Sequence, residues 1–129
     1  MKLLDANLIL RFLLKDDVKQ FQKAKSILEN SEENLYLSDM IIAEVVWVLI
    51  SFYKFNREDI IEKIYNLLNL NSIYSNKSLF IRTLYFYRNF NIDFIDAYLA
   101  AYCESEKLEA IYSFDKGLDK IKEIKRFKP

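Results

Sequence analysis

Four short apolar runs, Lys2–Leu4, Leu35–Leu37, Asn71–Tyr74 and Ala110–Tyr112, are separated by pairs of longer segments whose apolar residues recur at helical spacing. Runs of that length read as strands, and segments in which apolar residues return every three or four positions read as helices. The helical segments cover Leu8–Leu14, Val18–Leu28, a long stretch from the capping Ser38 to about Tyr53, Arg57–Leu70, Lys77–Arg88 and Ile92–Cys103. Strands joined by helices rather than tight turns pair in parallel, because the connection must carry the chain back to the starting edge. The expected fold class is therefore α/β: a three-layer sandwich with a short, mostly parallel central sheet of about four or five strands covered by helices. No repeat, low-complexity tract or linker interrupts the 129 residues, a length that fits one domain over 1–129.

Within that pattern the stretch Ile92–Cys103, IDFIDAYLAAYC, places two carboxylates at the head of an otherwise apolar helix. Asp93 and Asp96 share a face that continues as Ala97, Ala100 and Ala101, small enough for close packing. Ile95, Tyr98, Leu99, Tyr102 and Cys103 fill the other directions, so the helix is expected to be buried on most sides. Acids beside a core need a cation, hydrogen-bond donors or a proton. Glu44 raises the same question, as the one residue that is not apolar in Met40–Ile50, MIIAEVVWVLI, with no Lys or Arg one turn away. It is either a buried acid in need of a partner or a member of that helix's one exposed stripe.

Composition removes most chemistries. The chain contains no His, one Cys and one Gly. Imidazole-based nucleophile systems, the usual zinc sites and glycine-rich phosphate loops are thereby excluded. An enzyme built from these residues works through carboxylates, which select hard cations with oxygen ligands, Mg²⁺ or Mn²⁺. Basic and acidic residues balance at 19 each, so attraction to nucleic acid has to come from a local patch. The single Cys suits a reducing cytoplasm, and no signal peptide or membrane-spanning run is present in the sequence. The final segment, Lys116–Lys128, holds six basic residues and reads as a solvated mixed-charge terminus before it reads as a phosphate-binding patch.

The candidate acids sit where ligands bind in parallel sheets. Asp5 follows the first strand and Asp115 the last, at the tips where α/β folds place their sites. Asp5 also has an ordinary role open to it, as the N-cap of the next helix. With Asp96 at a helix start and Glu44 inside a helix, four carboxylates from four segments are positioned to meet at one end of a sheet.

These segments, taken together and in order, resemble the four motifs of PIN domains: Leu4-Asp5-Ala6-Asn7-Leu8, Ser38 through Glu44, Asp93-Phe94-Ile95-Asp96-Ala97 with Ala100-Ala101, and Ser113-Phe114-Asp115. The match is closest to small single-domain PIN toxins of bacterial and archaeal toxin–antitoxin pairs, the VapC-like ribonucleases, and covers essentially the whole chain. The resemblance implies that Asp5, Glu44, Asp96 and Asp115 take the metal-site positions, with Asp93 an accessory acid and Asn7 and Ser113 close by. Asp119 is a second candidate for the fourth acid. Ala6 departs from the Thr or Ser often found after the first acid, which removes a hydroxyl from that position.

A Mg²⁺- or Mn²⁺-dependent endoribonuclease that hydrolyses RNA phosphodiester bonds, acting as the toxin of a toxin–antitoxin pair, is the function the resemblance implies, with one or two ions in the site. It further implies a homodimer and a cognate antitoxin protein as partners, and an aromatic content of 16% independently points to interfaces. Two alternatives belong to other classes. One is a catalytically inactive PIN-like module that binds RNA or protein. The other is a haloacid-dehalogenase-like phosphatase, which would want a second Asp where this chain has Asn7.

Overall fold

A computed structural model describes all residues, Met1–Pro129. Two compact units divide the chain, Met1–Asn76 and Lys77–Pro129.

The first unit is built on three parallel strands, β1 (Lys2–Leu3), β2 (Leu35–Tyr36) and β3 (Ile73–Tyr74), in the order β1-β2-β3. Lys2 faces Leu35 and Leu35 faces Ile73, so the register runs straight across the sheet. Each crossover contains two helices: α1 (Ala6–Leu14) and α2 (Val18–Leu28), then α3 (Asp39–Ser51) and α4 (Arg57–Leu68). Helix starts follow the local chemistry. Asp17, Ser38 and Asn56 each accept a backbone N–H from the first turn, and Asn56 with Asp59 forms a reciprocal capping box. The core gathers Ile9, Leu28, Leu37, Ile42, Leu49, Ile60 and Ile64, all fully buried, each contributing about 1.5–3 kcal/mol through the apolar area it removes from water. The buried Ser72 hydroxyl donates to the Leu28 carbonyl, which satisfies both groups.

In the second unit, α5 (Lys77–Asn89) packs on α6 (Phe94–Ser105), followed by β4 (Ile111–Tyr112), a 3-10 turn over Lys116–Lys120 and β5 (Arg126–Phe127). Ala97, Ala100 and Ala101 are fully buried, so α6 presents a flat small-residue face. Phe80 of α5 lies 6.4 Å from Phe94 and 5.4 Å from Tyr98, ring centroid to ring centroid. Arg82 grips Glu104 through two hydrogen bonds of 2.8 and 3.0 Å. β4 and β5 pair in parallel, with Tyr112 opposite Phe127.

Six helices and five short strands, paired only in parallel, give the α/β architecture expected from the alternation of segments. The strands hydrogen-bond as a group of three and a group of two. No helix is long and apolar enough to cross a membrane.

The alternatives left open for Glu44 are decided by α3: Met40 is 81% and Trp47 60% exposed, on the stripe that also carries the exposed Glu44. Two expectations require correction. α6 is not buried on most sides, since Ile95, Leu99 and Tyr102 lie along one open face. The open faces of α3 and α6 have one cause: apolar character does not enforce burial, and more than half of a folded surface is apolar in any case. The terminal segment, finally, is not a solvated tail. Leu118, Ile121 and Ile124 are buried beneath its charges, and Arg126 and Phe127 form a strand.

Candidate active site

Asp93 is the N-cap of α6. Its extended backbone and its carboxylate, which accepts the Asp96 N–H at 2.8 Å, start the helix at Phe94. That bond answers for Asp93 what its acid requires, namely a donor. It also fixes Asp96 on the first turn, where the Asp96 side chain is half-buried.

The tip after β4 brings the second carboxyl group. Ser113 Oγ accepts the Asp115 N–H at 2.9 Å, and Asp115 in turn accepts the Gly117 N–H at 2.8 Å. These two short turns fix the Asp115 carboxylate, which lies close enough to Asp96 for each group to act on the other's protonation. Gly117 makes this possible by lacking a side chain: a Cβ there would stand 3.0 Å from Asp115 Oδ1 and 3.5 Å from Ile92 Cγ2.

The two carboxyl groups titrate apart. Burial pushes the Asp96 carboxyl up from 3.8 to about 6, helped by the neighbouring carboxyl groups of Asp115 and Asp93. Asp115 moves the other way, held down by the Gly117 N–H, the neighbouring Asp96, and the positive Lys120 and Arg126. So below about pH 6 Asp96 keeps its proton while Asp115 carries charge, and above it both are charged and repel until a cation joins them.

Arg126 holds the tip from behind. Its guanidinium donates to both Asp119 oxygens, at 2.9 and 3.0 Å, and its remaining Nη1 donates to the Ser113 carbonyl at 2.9 Å. Its side chain is only 11% exposed. Asp119, the other candidate for the fourth acid, is therefore committed to Arg126, which holds its carboxyl below the usual range. Lys120 Nζ donates to the Asn91 carbonyl at 3.0 Å and ties the 3-10 turn to the link that precedes α6. Sequence reasoning missed Arg126, and saw in Gly117 only a residue that permits a turn after the tip. The available signal was the apolar series Leu118, Ile121, Ile124, which marks Lys116–Lys128 as folded.

The remaining candidates belong to the first unit. Asp5 occupies the N-cap position of α1 with an extended backbone, yet its side chain makes no capping bond. Among the N-caps of this protein it alone leaves its carboxylate uncommitted to the helix it starts. Asn7, on the first turn of α1, is exposed. Glu44 is exposed on α3, which packs against α1. Burial therefore makes no demand for a partner at Glu44.

In neither unit are three or more acids or thiols arranged to hold a metal ion. What the second unit offers is a pair, Asp96 with Asp115, flanked by Asp93. Two neighbouring carboxyl groups, with no imidazole or thiolate beside them, match the oxygen donors that Mg²⁺ or Mn²⁺ takes from a protein while keeping several waters.

Comparison with protein families matches residues 2–124 to the PIN domain model, across both units. Comparison with curated proteins gives no match.

Proposed function

The chain belongs to the PIN domain family, whose members are in general nucleases that use divalent metal ions, and from that premise we propose that it is a Mg²⁺- or Mn²⁺-dependent endoribonuclease. The observation that carries this reading is the Asp96–Asp115 carboxyl pair. Asp96 and Asp115 would hold the ion, with Asp5 and Glu44 supplying the other acids that the order of the motifs implies. Asp5 suits that role in leaving its helix uncapped. A bound ion would offset charge building on the phosphoryl oxygens and make a water more acidic.

The protein's own residues do the positioning. Asp93 fixes the first turn of α6 and so the height of Asp96. Gly117 and the Arg126 guanidinium fix the tip that carries Asp115. Attack by water in line with the departing oxygen leaves a 5′-phosphate and a 3′-hydroxyl, with no covalent enzyme intermediate.

The order of the motifs further supports a VapC-like toxin, with a homodimer and an antitoxin as partners. The open apolar stripe of Met40 and Trp47 on α3 is available for such contacts. A cytoplasmic setting fits the free, buried thiol of Cys103. The test is cleavage of RNA with Mg²⁺ or Mn²⁺, with chelator, and beside a generic phosphate ester. RNA cut only with the ion supports the nuclease. Ester hydrolysis without RNA cleavage favours a phosphatase, and ion binding without either reaction favours an inactive module.

A further inference from the structure

The residues next to Asp115 include three aromatic side chains that the fold leaves open. Tyr112 is 74%, Phe114 75% and Phe127 39% exposed. Tyr112 and Phe127 face each other across the β4–β5 pair, with ring centroids 5.6 Å apart at an interplanar angle of 70°. Phe114 separates Ser113 from Asp115, so it stands one residue from the acid pair. Burying either Tyr112 or Phe114 would be favourable by its area alone, yet nothing in this unit covers them.

Positive charge surrounds the same tip. Lys116, Lys122, Lys125 and Lys128 are all exposed. Lys120 and Arg126 lie close enough to Asp115 to act on its charge. Of the segment's acids, Asp119 is neutralised by its ion pair with Arg126, which leaves the exposed Glu123 as the one acid among these lysines. Open rings between an acid pair and a set of lysines suit a polyanion with accessible flat faces. An unpaired nucleic acid strand presents both, whereas a duplex hides its base faces.

Resting on the nuclease reading above, we propose that Tyr112, Phe114 and Phe127 form a base-stacking shelf beside Asp115, with the neighbouring lysines on the phosphates, so that stacked bases set how the strand passes the acid pair. The shelf places unpaired bases against the rings while the backbone runs past the acid pair. Stacking of this kind changes affinity by about 5- to 150-fold per base.

The experiment measures binding by fluorescence anisotropy, with Ca²⁺ replacing Mg²⁺, to three probes: a short labelled single-stranded RNA, the same strand made abasic at its centre, and its duplex. The wild-type protein is expected to prefer the intact strand over both others by about 5-fold or more. Phe114→Ala and Tyr112→Ala are expected to lose that preference, and Phe114→Trp to keep it. Phe114→Ala is also expected to leave the Mn²⁺-induced shift in melting temperature unchanged, which separates lost stacking from a damaged acid pair. Equal binding of intact and abasic strands, equal binding of the duplex, or an unaltered preference in Phe114→Ala overturns the shelf. A wild-type protein that cuts RNA yet ignores the abasic change overturns the shelf alone. One that neither binds nor cuts any RNA overturns the nuclease reading as well.

Discussion

Asp96, on the first turn of α6, and Asp115, at the tip after β4, shift each other's protonation in opposite directions, Asp96 up to about 6 and Asp115 below 3.8. The site's behaviour follows from that pairing, because a divalent ion binds the doubly ionised form.

Replacing Asp96 by Asn keeps a hydrogen-bond donor toward Asp115 and removes the second charge. RNA cleavage is expected to fall by at least about 100-fold, the scale of losing one positioned electrostatic group. The ion-free variant is expected to melt a few degrees above wild type at pH 8 and level with it at pH 4. Differential scanning fluorimetry in chelator reads this directly.

The pH dependence has a definite sign. Between 3.8 and about 6 the folded protein keeps on Asp96 a proton that the unfolded chain has released, so this group's contribution to stability is lost as pH rises through that window. Asp115 is shifted downward, so its contribution is present above 3.8 and lost as pH falls below it. Melting temperature without metal should therefore fall from pH 4 to pH 6.5 in wild type and stay flatter in Asp96→Asn. Affinity for Mn²⁺, measured by calorimetry, should rise over the same interval.

Gly117→Ala tests the close approach at the tip. The new Cβ would meet Asp115 Oδ1 at 3.0 Å, so the carboxylate has to shift from its place on the Gly117 N–H. Cleavage is expected to drop by about 10-fold or more while melting temperature changes little, because the tip is exposed. Unchanged activity would show that the Asp115 orientation is not needed.

Arg126→Ala is expected to lower both melting temperature and Mn²⁺ affinity, since it releases Asp119 and the Ser113 carbonyl together. Arg126→Lys should recover charge without the fork and restore little of the affinity. Full recovery by Lys would mean that only the positive charge matters.

Much of this was legible in the sequence, and the reasons differ by residue. Ser38 and the apolar spacing of Ile60, Ile64, Leu67 and Leu68 announce their helices, because capping and periodicity are local properties. The order of the acids announces the family for the same reason. What sequence could not give was which apolar faces stay open, as with Trp47 and Leu99, because burial depends on what the rest of the chain covers. Nor could it show that Asp5 leaves its helix uncapped, or that Arg126 spends its guanidinium on Asp119 and Ser113 instead of on solvent. Those are properties of side-chain geometry, settled only when the tip, the turn and β5 lie together.

Soaking a crystal of the wild-type protein in Mn²⁺ and recording an anomalous difference map tests the central claim most directly. The account predicts a peak in coordination contact with the carboxylate oxygens of both Asp96 and Asp115, absent from Asp96→Asn under the same soak. A map with no peak at that pair, or with Mn²⁺ bound only elsewhere, would contradict it.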